Sequence, residues 1–188
     1  VRQVGKEVDV VDVIIPEIVI HQPDLALLVE KQELSAVLLE VINLDATIYR
    51  DKRFPQPEGV YKFMPQELMK QVGIVAQLDT LQIINGKVRY VEFPEKGLIP
   101  GEIYFSELYA ALYPFHLGKN PEDYQVEESN LLAMAKLNGQ AQLNLQGQMS
   151  FKSPYPMKIN TQIGEFDLQS INSILIPTAF ARIREGRI

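Results

Sequence analysis

Few residues in this 188-residue sequence have the types and spacing needed for catalysis or metal binding. The two histidines, His21 and His116, are far apart in turn-like surroundings, and a zinc site would require them to meet and recruit carboxylates. Asp9 and Asp12 lie in one apolar stretch, but their spacing places them on opposite faces of a strand. Acid–base catalysis needs both carboxyl groups in one pocket. We therefore predict no metal site, no cofactor and no enzymatic activity.

Other chemical signatures are missing from the sequence as well. It has no Gly-rich phosphate loop, no H-E-x-x-H motif and no G-x-S-x-G motif. It has no cysteine for disulfides, thiolate catalysis or zinc ligation. The acidic pairs Glu122-Asp123 and Glu127-Glu128 predict a solvated surface rather than a calcium site. A net charge of −6 argues against nucleic-acid binding, which needs a cationic footprint on phosphates.

Length and composition predict one folded domain over residues 1–188. Hydrophobic residues make up 46% of the chain and charged residues 22%, which is ordinary for a globular protein. No apolar run approaches the roughly 18 residues needed to cross a bilayer. The chain begins at Val1, and its last residues resemble a strand cut off midway. We interpret it as a segment of a longer protein, with any membrane anchor outside this chain.

The strongest pattern is the alternation over Ala133–Phe151. Every odd position there is apolar or glycine, and every even position except Met134 is polar. This period of two predicts β structure. The parity runs unbroken through Gly139 and Gly147, which favours one long bent strand. A hairpin that turns near Asn138-Gly139 is the alternative.

The apolar face of this stretch is the candidate binding site. Its side chains either form the dry inner side of a half-buried sheet or line an open groove for an apolar ligand. The candidate groove residues are Ala133, Ala135, Leu137, Ala141, Leu143, Leu145, Met149 and Phe151.

The rest of the sequence predicts a mainly β protein of seven or eight strands and two short helices. Met157–Ile163 alternates regularly and predicts one of the strands. Short connections between strands favour antiparallel pairing. Pro65–Val72 predicts one helix, with proline at its first position. Phe166–Ile176 predicts the other, with Asp167 as its N-cap and Pro177 as its end.

Two predicted strands contain a signal for an irregularity. In Val8–Ile20, Pro16 cannot donate to a ladder and predicts an edge or a bulge. Without such an irregularity, Val11 and Val13 would point to the opposite face from Ile18. In Leu78–Phe93 the apolar parity switches at Asn85-Gly86, which predicts either a bulge or a type I′ hairpin.

Three sets of residues together resemble the AsmA/TamB-like proteins of the Gram-negative envelope. The alternating stretch described above, which follows a polar loop, is one of them. The C-terminal set, which begins at Ile163, is similar to the family's closing module of "Gly-x-Phe-Asp-Leu, Leu-Asn-x-Leu-x-Pro, then an Ile-x-x-Gly strand". The sets are Pro65–Leu68 with Leu81–Tyr90, then Ala133–Phe151, then Ile163–Leu168 with Ile171–Pro177 and Ile183–Ile188.

The resemblance implies a long, strongly curved antiparallel sheet whose concave face is an apolar groove. It implies a non-enzymatic protein of the periplasm, anchored in the inner membrane, that shields phospholipid acyl chains during transport between membranes or in outer-membrane homeostasis. Phospholipid and the inner membrane are then the expected partners, and exposed edge strands would pair with neighbouring repeats or envelope proteins. The alternative is a structural or interaction scaffold with a closed apolar core and no lipid ligand.

Overall fold

A computed structural model describes residues 5–56, 59, 61, 63–118 and 127–187 of the chain. Strands make up 53% of it and helices 15%, which confirms the prediction of a mainly β protein. Ten strands form one large mixed, open sheet, and three helices accompany it rather than the predicted two. The strands are β1 Asp9–Ile14, β2 Glu17–His21, β3 Leu34–Ile42, β4 Asp45–Asp51, β5 Ala76–Phe93, β6 Gly101–Tyr113, β7 Phe115–Leu117, β8 Glu128–Leu137, β9 Ala141–Ser150 and β10 Met157–Ile163. The helices are α1 Leu25–Lys31, α2 Pro65–Gln71 and α3 Asn172–Ala179, preceded by a 3₁₀ turn at Leu168–Ile171.

The chain crosses the sheet seven times, and each crossing, or pass, consists of one or two of the ten strands. The passes are arranged in the sheet in the same order as in the sequence. β1 and β2 form the first pass, because both pair with the next pass in one continuous register. For the same reason β3 and β4 form the second pass, and β6 and β7 the fourth. β5, β8, β9 and β10 are passes on their own.

One connection departs from the predicted antiparallel order. β3 and β4 run parallel to β5, while the other neighbouring strands pair in antiparallel fashion. The prediction of an antiparallel sheet is therefore wrong at this point. The crossover from β4 to β5 carries α2, in keeping with the long connection that parallel neighbours require. Alternation in the sequence reports which face a side chain occupies, but it carries no information on strand direction.

A line of irregular residues crosses the first four passes. Asn43 between β3 and β4, Asn85 in β5 and Glu107 in β6 all have a left-handed backbone, with φ of 58°, 54° and 51°. The register of β6 shifts beside these residues on both of its sides, and Pro16 separates β1 from β2 near the same line. An extra residue in a strand switches the alternation of its side chains. The prediction of a bulge at Asn85-Gly86 is confirmed, and Pro16 lies at an edge of the sheet, which is one of the two outcomes predicted for it.

The stretch Ala133–Phe151 is a hairpin, so the favoured prediction of one long strand is wrong. β8 ends at Leu137, which pairs with Ala141 at the start of β9. Three turn residues separate the pair, so odd-numbered residues on both strands fall on the same face. The unbroken parity is thus equally compatible with a three-residue loop. Asn138 fixes the turn, because its Oδ1 accepts from the Tyr104 N–H at 3.0 Å and its Nδ2 donates to the Ser170 carbonyl at 2.7 Å.

The helices follow the sequence signals with one exception. α2 begins at Pro65 as predicted, and Asp167 acts as an N-cap, since its carboxylate accepts from the Gln169 N–H at 2.8 Å. The prediction that Pro177 ends the last helix is wrong, because Pro177 lies inside α3, which continues to Ala179. The final turn is held by the Thr178 hydroxyl, which donates to the Ile174 carbonyl at 2.6 Å. The acidic residues 122–123 lie outside the described residues.

Candidate apolar binding site

The candidate groove residues share one face of the β8–β9 hairpin. Residues directly opposite each other on neighbouring strands point to the same side of a sheet. The register pairs Ala133 with Leu145, Ala135 with Leu143, and Leu137 with Ala141, while Met149 lies further along β9 and Phe151 just after it.

The C-terminal segment covers the end of this face that lies nearest the hairpin turn. Leu137 and Ala141 pack against Phe166 in one buried cluster, and Phe105 and Ile171 are among the side chains around it. Ala141 is 0% exposed. These positions therefore belong to the hydrophobic core.

Helix α2 lies at the other end of the hairpin. Its Lys70 Nζ donates to the Phe151 carbonyl at 2.6 Å, and its Gln66 Nε2 donates to the Tyr155 carbonyl at 3.3 Å. Met69 of the same helix packs against a second buried cluster. Of the eight candidate residues, those that are buried are Ala135, Leu137, Ala141, Met149 and Phe151. Those between the covered ends and only half-buried are Ala133, Leu143 and Leu145.

Strand register extends this face across the whole sheet in three apolar rows. Each row is a chain of directly paired residues, with one residue from each pass, except that the third row has none from β10. The first row is Ile20, Leu39, Leu81, Leu112, Leu131, Gly147 and Ile159. The second row is Ile18, Val41, Ile83, Ala110, Ala133, Leu145 and Thr161. The third row, on the far side of the bulge line, is Val13, Ala46, Val88, Phe105, Leu137 and Ala141.

The bulge line keeps the three rows on one face. Val41 is odd-numbered and Ala46 even-numbered, so regular alternation would place them on opposite faces. Their rows nevertheless contain Ala133 and Leu137 on β8, and these two residues share a face. Val13 and Ile18 likewise fall on the same face, so the expectation that they point in opposite directions is wrong. The interruption at Pro16 lies in register with the one at Asn43, so the alternation switches in both passes together.

The rows differ in how much protein covers them. In the first row, Leu39, Leu81 and Leu112 pack against the buried cluster near α2. The third row ends in the cluster formed with Phe166. The second row lies between them and is half-buried along its centre, while Ile18 at its edge is 53% exposed.

Most residues of the rows were not identified as site residues from the sequence. The sequence indicates only Ala133 and Leu145 of the second row and Leu137 and Ala141 of the third, because alternation concerns each strand separately. The parity switch at Asn85-Gly86 was the one signal that could have aligned the apolar positions of neighbouring strands.

A charged row closes the face two rows beyond the third apolar row, past the paired residues Val11, Ile48, Tyr90 and Ile103. Asp9 pairs with Arg50, and Arg50 with Glu92. Arg50 Nε donates to the Asp9 carboxylate at 2.6 Å, and this hydrogen bond raises the pKa of the guanidinium. Burial pushes the pKa of Glu92 upwards, but hydrogen bonds from Lys52 and Tyr90 outweigh it and lower the pKa. The three apolar rows themselves contain no ionisable side chain.

The residues considered for catalysis and metal binding are dispersed over the sheet. His21 Nε2 lies 2.7 Å from the Glu40 carboxylate, while His116 lies on β7 opposite Gln77. Burial lowers the pKa of His116. Within the described ranges, no group of three or more His, Cys, Asp or Glu side chains could hold a metal ion.

Comparisons with known proteins leave the family of this chain open. No protein-family model matches it, and no curated protein is significantly similar to it. Among the described residues, no helix is both long and apolar enough to span a membrane. Function must therefore be inferred from the geometry of the apolar rows and from the sequence motifs.

Proposed function

We propose that this chain is a non-enzymatic lipid-handling segment that holds phospholipid acyl chains against the apolar rows. The observation that carries the proposal is the second row, which is half-buried at its centre and lies between two covered ends. An acyl chain laid there would remove apolar area from water, at about 0.8 kcal/mol per buried CH₂. Such binding needs no polar specificity, in keeping with a row that has no ionisable side chain.

The dimensions of the second row suit a lipid tail. It runs across seven passes, and neighbouring strands lie about 4.8 Å apart, so it is about 29 Å long. The hydrocarbon core of a bilayer, which holds two layers of tails, is about 30 Å thick. A single extended acyl chain would therefore fit along the row. We further propose that the bulges at Asn43, Asn85 and Glu107 curve the sheet around it, since bulges bend strands.

The exposed surface is larger than that of a compact protein of this size. The accessible surface is 12209 Å², whereas a compact monomer of 21.3 kDa would expose about 9,100 Å². The excess is expected for a sheet whose faces are incompletely covered.

The resemblance to AsmA/TamB-like proteins suggests where this activity would take place. We propose the periplasm of a Gram-negative bacterium, with the protein held at the inner membrane by an anchor outside this chain. Phospholipid transport between membranes, or outer-membrane homeostasis, would be the process served. These proposals rest on the sequence motifs alone, including Ile163–Leu168 and Ile171–Pro177.

The test is lipid extraction from natively purified protein, followed by mass spectrometry. We expect about one or more phospholipids per chain, absent from a protein of similar size handled identically. Leu145→Asp places a charge in the half-buried row and should remove the lipid while the fold persists. Asn144→Asp is the matched control, because it adds the same charge one residue away on the other face and should retain the lipid. A wild-type chain without lipid would contradict the proposal.

A scaffold with a closed apolar core is the second candidate, and the burial of five candidate residues favours it. In that case Leu145 would be a core residue. Leu145→Asp would then cost several kcal/mol, about 2–5, and unfold the protein or lower its melting temperature sharply. Urea denaturation of this variant, beside the lipid analysis, separates the two functions.

A further inference from the structure

β10 is the last strand of the sheet, and its outer edge is unusually accessible. In the described part of the chain it pairs with β9 alone, and all seven of its residues are exposed. Two backbone bonds fix which groups face β9: Gly164 N donates to Gln142 O at 2.7 Å, and Ser150 N donates to Pro156 O at 2.9 Å. Because backbone groups alternate along a strand, even-numbered residues of β10 bond to β9. The N–H and C=O groups of Met157, Ile159, Thr161 and Ile163 therefore point outwards.

The two edges of the sheet differ in how they are protected against strand addition. The edge formed by β1 and β2 is interrupted by Pro16 and carries the acidic residues Asp9, Asp12 and Glu17. Proline and charge are devices that prevent pairing at an edge. β10 has no proline, no bulge against β9 and a single charged residue, Lys158. Its outer edge is therefore the one suited to accept another strand.

We propose that β10 pairs antiparallel with β10 of a second copy of this chain, with Asn160 of one copy opposite Asn160 of the other. This register places Ile159 opposite Thr161 and joins their outward backbone groups. On the apolar side it also brings Met157 next to Ile163 of the second copy. On the polar side Lys158 meets Gln162, so no like charges face each other.

Symmetry and the position of Pro16 favour a second copy at this edge over contact between β10 and the opposite edge. Self-pairing of β10 is symmetric and closes as a dimer, whereas pairing of β10 with β1 and β2 would generate open chains of molecules. The opposite edge would also have to accommodate Pro16 in the middle of the ladder. The dimer would join the apolar rows of two copies across one continuous sheet. This inference stands on the strand edge and does not depend on lipid binding.

Sedimentation equilibrium of the 188-residue chain at low salt tests the dimer, and charge changes at Asn160 test the register. Asn160→Asp and Asn160→Lys each place like charges opposite one another and should weaken the dimer about two- to fivefold. An equal mixture of the two variants should restore dimers, because opposite charges then meet. Gln146→Glu is the matched control. It makes a similar charge change in the same row of the same face, one strand further in, and should leave the dimer unchanged.

A backbone change tests the edge itself. Thr161→Pro removes an outward N–H and leaves the bonds to β9 in place, so it should weaken the dimer at least about tenfold. Thr161→Val keeps the N–H and should preserve the dimer. A chain that stays monomeric, one that forms open assemblies larger than a dimer, or a dimer insensitive to both Thr161→Pro and the Asn160 charges would overturn the proposal. Circular dichroism confirms that each variant is folded.

Discussion

Asn85 Nδ2 donates a 2.7 Å hydrogen bond to Asn43 Oδ1, and both residues have a left-handed backbone. The bond joins the bulge in β5 to the break between β3 and β4, so the two irregularities occur at the same level of the sheet. Asparagine tolerates a positive φ better than most residues do. The pair keeps the apolar residues on both sides of the bulge line facing the same way.

Asn85→Val should destabilise the fold more than Asn85→Gly does. Valine is β-branched and is strained at a φ of 54°, and the bond to Asn43 is lost as well, for a total of about 2–3 kcal/mol. Glycine accepts this backbone conformation and loses only the bond, at about 1 kcal/mol. Urea denaturation of both variants gives the comparison. Equal losses would mean that the left-handed backbone at Asn85 is not required.

Phe166→Ala should cost about 3–5 kcal/mol, because it empties a buried site against Leu137 and Ala141. The matched control is Phe180→Ala, which removes an equally large side chain that is 68% exposed. It should change stability by no more than about 0.5 kcal/mol. Thermal and urea unfolding measure both. A small effect of Phe166→Ala would show that the C-terminal segment does not stabilise this end of the sheet.

Tyr90 should make the stability of the protein sensitive to alkaline pH. Burial and the hydrogen bond to Glu92 raise the pKa of Tyr90 to about 12, above the value of about 10 expected in the unfolded chain. The folded state therefore holds this proton more tightly, and the resulting stability is complete below about pH 10 and is lost as the pH rises towards about 12. Wild type should lose more unfolding free energy than Tyr90→Phe over this range. If the unfolding free energies of the two proteins changed equally with pH, the raised pKa of Tyr90 would be contradicted.

Hydrogen exchange along β10 should alternate from residue to residue. The N–H groups of Lys158, Asn160 and Gln162 face β9 and should exchange slowly, while those of Ile159 and Thr161 face outwards and should exchange quickly in dilute solution. Amide exchange followed by NMR resolves each position. Slow exchange at the outward groups should appear only as the protein concentration rises. Uniform rates at every concentration would mean that β10 is not held in the observed register.

Alternation in the sequence identified several strands well. Met157–Ile163 was predicted from its period of two and is the observed β10, and the parity switch at Asn85 correctly indicated a bulge. The same signal could not tell a long strand from a hairpin at Ala133–Phe151. A three-residue turn preserves odd and even positions, so both structures share one pattern.

The apolar rows could not be predicted because they depend on relationships between strands. Alternation states which face Ile83 occupies on its own strand, but it does not state that Val41 runs parallel beside it or that Ala110 lies opposite it. Register and direction are set by the crossover through α2 and by the bulges. The eight candidate residues consequently combined core positions such as Ala141 with half-buried positions such as Leu145.

The agreement between chain order and sheet order makes this protein a one-dimensional array. Each pass touches mainly the pass before it and the pass after it, so stability is approximately a sum of terms between nearest neighbours, as in repeat proteins. Damage to β10 should then propagate weakly to β1, many interfaces away. Whole hairpins could be gained or lost at either end during evolution without changing the order or connections of the other strands. The sheet would then become wider or narrower in steps of one hairpin.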